Sequence, residues 1–205
     1  MLCVRRAQRV VSQVTSNNKS GLAMPSSILP LKELSGRVVT RWQGTEMALS
    51  EGESPGDIRW TNDEIPYLQF TQLRLQLADG RTFRLLSQLE DGTGFHGLYL
   101  AELESFAGPT LTAGPTSIFR ERELPELPQG EINISSVRQD GSDAIVEVGL
   151  DINGIEIRLV AGEVHEQFDG SLLIVEPEES ILVQVNRAGP NPYIERTPPG
   201  NPVSA

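Results

Sequence analysis

The sequence predicts a mainly β fold built of antiparallel sheets, either a sandwich or a partly open barrel. Three observations carry that expectation. Asp79-Gly80, Asp91-Gly92, Asp140-Gly141, Asn153-Gly154 and Asp169-Gly170 each border a run rich in Val, Ile, Leu or Phe. Glycine supplies the positive φ of a tight hairpin turn and Asn or Asp tolerates it, so these dipeptides mark places where extended chain reverses. The runs between them alternate with period two: Ala144, Val146, Val148 and Leu150 share one strand face, and Ile155, Ile157, Leu159 and Ala161 share the next. With 205 residues and 38% hydrophobic content, the chain can bury a core without disulfide or metal staples.

The elements follow in order. Residues 1–32 carry Arg5, Arg6, Arg9, Lys19 and Lys32 and no acid, and are expected to be a flexible basic segment. Wound as a helix, residues 4–14 would oppose Val4, Ala7, Val10, Val11 and Val14 to the arginines, a pattern shared by membrane-surface helices and organelle transit peptides. Met24 offers a second start site, which would place residues 1–23 outside the native protein. The globular body is expected over residues 33–185, with strands at 37–42, 68–77, 81–89 and 97–102. Residues 44–67 read as a polar loop. In 68–77 the apolar parity flips between Phe70 and Leu73, which predicts a bulge near Thr71-Gln72. A Gly/Pro/Thr-rich stretch and Leu124-Pro125-Glu126-Leu127-Pro128 read as irregular chain, the latter as a stiff linker. Strands resume at 131–137, 144–150, 155–161, 171–175 and 181–185, the last two read as buried central strands because both faces are apolar. The spacing of Gly80 and Arg84 repeats at Gly154 and Arg158, so residues 36–115 and 131–185 could form two similar β units. Residues 186–205, with five prolines, are expected to be a disordered tail.

Charge narrows the function classes. The net charge is −11, and with the basic N-terminus set aside residues 33–205 carry −16. Such a body repels phosphate backbones and anionic membrane faces and attracts basic proteins. No apolar run is long enough to span a bilayer, so no integral membrane role and a cytoplasmic location are expected, with organelle targeting through residues 1–23 as the alternative. Cys3 is the only cysteine, which excludes an internal disulfide and a multi-thiolate metal site.

Residue types suited to catalysis are scarce, and no cofactor motif is present. His96 and His165 are the only histidines. Glu163 and His165 would share a strand face, with Asp169 in the next turn, so His96, Glu163, His165 and Asp169 are the candidates for a metal or ligand site. The glycine-rich loop at 91–97 lacks phosphate-loop spacing and its lysine. The segment 44–67 instead mixes acids with large aromatics, the composition of an interface that steers and then anchors a partner. Glu51, Glu53, Asp57, Trp60, Asp63, Glu64 and Tyr67 are the expected partner-binding residues.

From Glu156 to Val185 the order is strand, Ala161-Gly162-Glu163-Val164, Asp169-Gly170, apolar strand, Glu-rich turn and Ile181-Leu182-Val183-Gln184-Val185. In its β-strand grammar, this stretch of about 30 residues resembles small bacterial proteins encoded beside toxins, several of which are acidic immunity proteins. The −16 body, the acidic aromatic segment 44–67 and the scarcity of catalytic residue types point to a non-enzymatic protein that sequesters or inhibits a basic protein partner, an immunity-like inhibitor being its most concrete form. The alternative is an enzyme, or a small-ligand or metal-binding β protein, with a cleft between two β units.

Overall fold

The computed structural model describes residues 31–50, 58–89, 94–106, 117–140 and 144–186. Eleven strands are described: β1 (Val38–Met47), β2 (Leu68–Leu77), β3 (Thr82–Leu89), β4 (His96–Leu103), β5 (Phe119–Glu123), β6 (Gly130–Gln139), β7 (Ile145–Ile152), β8 (Ile155–Ala161), β9 (Glu163–Glu166), β10 (Leu172–Val175) and β11 (Ile181–Asn186). All their pairings are antiparallel. The mainly β, antiparallel expectation therefore holds.

Nine strands make one sheet in the order β4-β3-β2-β11-β8-β7-β6-β1-β5, and a further β1–β2 pairing closes it. The ring β1-β2-β11-β8-β7-β6 is a closed six-stranded barrel, with the β3–β4 hairpin and β5 as additions. Closure depends on two strands that change neighbour along their length. β2 pairs with β11 at residues 68–70 and with β3 at residues 73–76. β1 pairs with β6 at Val38 and Val39 and with β5 from Gln43 to Met47. A barrel leaves no open edge within its ring and so protects the strands from pairing with other chains.

Local grammar accounts for three of the reversals, while Asp91-Gly92 and Gly141 lie outside the described residues. Asn153 and Gly154 both have positive φ, +56° and +76°, as a two-residue hairpin requires, and β7 and β8 pair across them from Ile152↔Ile155. Gly80 and Gly170 also have positive φ at their turns. The predicted bulge is present: Thr45 faces Gln72 while Glu46 faces Phe70, leaving Thr71 as the extra residue.

The barrel interior is a single apolar cluster that includes Trp42, Phe70, Leu73, Leu75, Val148, Leu150, Ile157 and Leu159, with Leu31 and Leu34 packed into it from the turn ahead of β1. A second cluster of Leu49, Tyr67, Val160, Val164 and Leu182 lies against other faces of β8 and β11. β11 is buried on both faces, as expected of a central strand.

Several expectations need correction. The first strand does not stop at Trp42 but runs to Met47, so residues 44–47 belong to the barrel wall. A Cβ at Gly44 would lie 2.6 Å from Cδ1 of Phe70, and the glycine permits that close approach within the strand. Phe119-Arg120-Glu121-Arg122-Glu123, which has almost no apolar pattern and was not among the expected strands, forms β5. It is held by pairing with β1 and by ion pairs rather than by a hydrophobic face. Leu124 and Leu127 are buried in the barrel core and Trp42 Nε1 donates to the Pro128 carbonyl at 2.8 Å, so 124–128 packs as core rather than acting as a spacer. β10 is not a buried central strand. It pairs only with β9 in a separate two-stranded sheet and is half-exposed. The stretches 36–115 and 131–185 interleave, β1 with β6 and β2 with β11, so their described strands share one barrel instead of flanking a cleft between two sheets. Hairpin spacing is set by local turn chemistry and does not report which strands pair at long range. Residues 1–30 and 187–205, which include most of the expected tails, lie outside the described residues.

Candidate functional site

Segments distant in sequence meet around one cavity. β1 ends at Met47, β2 carries its bulge at Thr71, β3 ends at Leu89, β4 begins at His96 and β5 begins at Phe119. Together with Glu179 and Ser180, which precede β11, these positions line a cavity of about 630 Å³. Its place follows from topology: at the bulge β2 stops pairing with β3 and begins pairing with β11, so the sheet branches there.

Ser180 connects this cavity to the next group of acids. Its hydroxyl lies 3.8 Å from Sδ of Met47 and 3.5 Å from Oε2 of Glu163. Glu163 is half-buried, and its pKa is raised first by burial; His165 opposes that shift, while Glu179 and Glu178 add to it. None of Glu163, Glu178 and Glu179 has an arginine partner among the described residues. The predicted pairing of Glu163 and His165 on one strand face is thus present. Asp169 is occupied elsewhere: its carboxylate accepts from the Ser171 amide at 3.0 Å and hydroxyl at 2.6 Å, which lowers its pKa. His96 lines the cavity, whereas His165 does not. Nδ1 of His96 and Nε2 of His165 are buried without a hydrogen-bond partner. Among the described residues no three or more His, Cys, Asp or Glu side chains gather into a group that could hold a metal ion.

The expected partner-binding residues divide. Glu51, Glu53 and Asp57 lie outside the described residues. Asp63 and Glu64 are exposed on a short turn closed by Ile65 N to Asn62 O at 3.0 Å, with Asn62 Oδ1 accepting from the Glu64 amide at 2.8 Å. Trp60 is half-buried, with the Arg120 guanidinium 4.1 Å above its ring. Tyr67 is 8% exposed, and its hydroxyl accepts from Arg158 at 2.9 Å. Tyr67 is thus buried in the fold, and Trp60 is half-buried against Arg120.

Sequence reasoning missed an ion-pair network that includes the Arg120 stacked on Trp60. Glu46 is fully buried on β1 and receives Arg120 and Arg122 from β5, the latter at 2.7 Å. Arg122 also binds Glu126 at 2.6 Å, and Arg74 on β2 binds Glu121 at 3.0 Å with both side chains nearly buried. Burial would lower the pKa of Arg122, but its hydrogen bonds to Glu46 and Glu126 outweigh that and raise it. A second network links Glu147 to Arg158 and Arg138, and Arg138 to Glu176. The signal was present in Phe119-Arg-Glu-Arg-Glu123, whose alternating charges form a strand only when opposite charges wait on the neighbouring strands.

The chain was also compared with protein-family models, curated proteins and solved structures, and none matches. No described helix is long and apolar enough to cross a membrane.

Proposed function

We propose that this is a non-enzymatic, acidic binding protein that sequesters or inhibits a basic protein partner. One observation carries the reading: Glu163, Glu178 and Glu179 lie near one another without an arginine partner among the described residues, beside a cavity wall, whereas Glu46, Glu121 and Glu147 are neutralised by ion pairs. Uncompensated carboxylates in a confined place favour the approach of a cation, and the −16 carried by residues 33–205 would steer a basic protein toward them. Asp63 and Glu64 add exposed negative charge. An intracellular inhibitor of the immunity type is the most concrete form of the proposal.

The test is lysine replacement of Asp63, Glu64, Glu163, Glu178 and Glu179 together. Capture of basic proteins by the wild-type chain at low salt should fall off as salt rises, and the variant should associate at least about tenfold more slowly. Equal capture by wild type and variant would refute the proposal.

The cavity favours a second reading, a small-molecule site. Its volume of about 630 Å³ is of ligand size, and its lining mixes Met47, Leu89 and Phe119 with His96, Ser87 and Glu179. A fragment screen by thermal shift distinguishes the two. On this reading, compounds that stabilise the wild type lose their effect on His96→Leu, whereas a protein-binding role predicts no such dependence.

A further inference from the structure

The acid-plus-aromatic composition expected of residues 44–67 recurs, in a more accessible form, on the β9–β10 hairpin. Phe168 at its tip is fully exposed, with a relative accessibility of 114%, and Leu173 on the same arm is 48% exposed. Isolated surface hydrophobics are ordinary. This one differs because its position is built. The tip is closed by Gln167 N to Ser171 O at 2.8 Å and Gly170 N to Gln167 O at 3.0 Å, with Gly170 at φ +79° and Asp169 bonded to Ser171. The root is held as firmly. Val164 is buried, its amide donates to Gln69 Oε1 at 2.6 Å, and Leu172 and Ile174 pack against the cluster of Leu49, Tyr67, Val160 and Leu182. Four-residue strands that pair only with each other would be marginal alone, so this anchoring is what maintains the arm.

We propose that the β9–β10 hairpin is the arm that engages the partner, with Phe168 inserting into an apolar pocket on a basic protein and Glu166 and Asp169 meeting the lysines or arginines around that pocket. This inference rests on the acidic-binder reading above and specifies which part of the molecule makes contact. Charge complementarity selects the occupant. Glu166 and Asp169 are exposed on either side of Phe168, and neither has an ion-pair partner among the described residues. Such a tip repels an anionic bilayer, where a membrane-inserting finger would carry basic residues. A ring held on a rigid turn loses little conformational freedom on binding, which is how an aromatic becomes a dominant contact.

The experiment uses the full chain with a photo-crosslinking phenylalanine analogue at position 168, irradiated in a lysate of its source cells at low salt, with adducts identified by mass spectrometry. A purified adduct protein is then titrated against wild type, Phe168→Ala and Phe168→Trp. Supporting results are an adduct on a segment rich in Lys or Arg, a loss of affinity of about tenfold or more in Phe168→Ala, and a blue-shifted emission in Phe168→Trp on binding. Because the side chain is fully exposed, Phe168→Ala should melt as the wild type does, so lost binding cannot be ascribed to unfolding. If wild type captures a basic protein but position 168 forms no adduct with it and Phe168→Ala binds equally, this inference fails while the acidic-binder reading survives. If no basic protein is captured at all, both fail. Phe168-dependent sedimentation with phosphatidylcholine–phosphatidylserine vesicles would overturn the inference in favour of a membrane surface.

Discussion

Two groups of glutamates in this barrel live under opposite electrostatic rules. On the β1–β5 side, Glu46 is fully buried and neutralised by Arg120 and Arg122, and Glu121 by Arg74. At the β8–β9 corner, Glu163 has Glu178 and Glu179 for neighbours, with His165 and the Ser180 hydroxyl to offset them and no arginine among the described residues. The first group is structural: the charges satisfy one another and leave nothing for a partner. The second is left unsatisfied by the fold, which is the condition under which an outside cation is welcome. Acidic composition alone does not distinguish these cases; placement of arginine does.

The largest expected effect comes from breaking the first group. Removing both arginines in Arg120→Ala/Arg122→Ala strands Glu46 as an uncompensated buried charge and should cost about 3–5 kcal/mol in urea unfolding. A loss below about 1 kcal/mol would mean that Glu46 reaches water and that the contrast between the groups is overstated. Next in size is Tyr67→Phe, which deletes the hydroxyl that accepts from Arg158. It should cost about 1 kcal/mol of stability and leave partner capture unchanged. Weakened capture at unchanged stability would restore Tyr67 to the binding surface.

The smaller effects concern the second group. Glu163→Gln should leave stability at pH 7 equal to or above that of the wild type, since it removes repulsion, and the difference should vanish in acid. The sign follows from linkage. A carboxyl with a raised folded pKa favours the folded state when protonated, so its contribution is present below the unfolded pKa and is lost as pH rises through the folded value. Glu147 behaves oppositely. Its hydrogen bond from Arg158, against the cost of burial, lowers its pKa, and it stabilises the fold above the unfolded value until pH falls through the folded one. Carboxyl carbon titration by NMR should therefore place Glu163 above the ordinary glutamate midpoint and Glu147 below it. Coincident midpoints would erase the distinction drawn here.

The aromatics teach a parallel lesson. Trp60 and Tyr67 stood out in the sequence because they sit among acids, yet one lies under Arg120 and the other is buried against Arg158. Phe168 attracted no notice because one phenylalanine in a turn has no pattern to belong to, yet among the described residues it is the fully exposed ring. Adjacency in sequence reports which groups are close along the chain, whereas exposure is decided by the elements that fold over them. The candidate site was legible in the same partial way. Glu163 and His165 share a face because strand geometry requires it, and His96 was noted for its rarity. That Ser180 and Glu179 from one end of the chain would meet Met47 and His96 from the other could not be read from spacing.

What the sequence determined by itself was local: the turns at Asp79-Gly80, Asn153-Gly154 and Asp169-Gly170, the bulge at Thr71, and the strands that alternate in hydrophobicity. Each rests on dihedral preferences and a two-residue period, which act over a few residues. Only the tertiary structure decided that the sheet closes, that Phe119-Arg-Glu-Arg-Glu123 becomes a strand, and which carboxylates receive arginines. Those outcomes depend on groups far apart in the chain, whose attraction exists only after the backbone has brought them within a few ångströms.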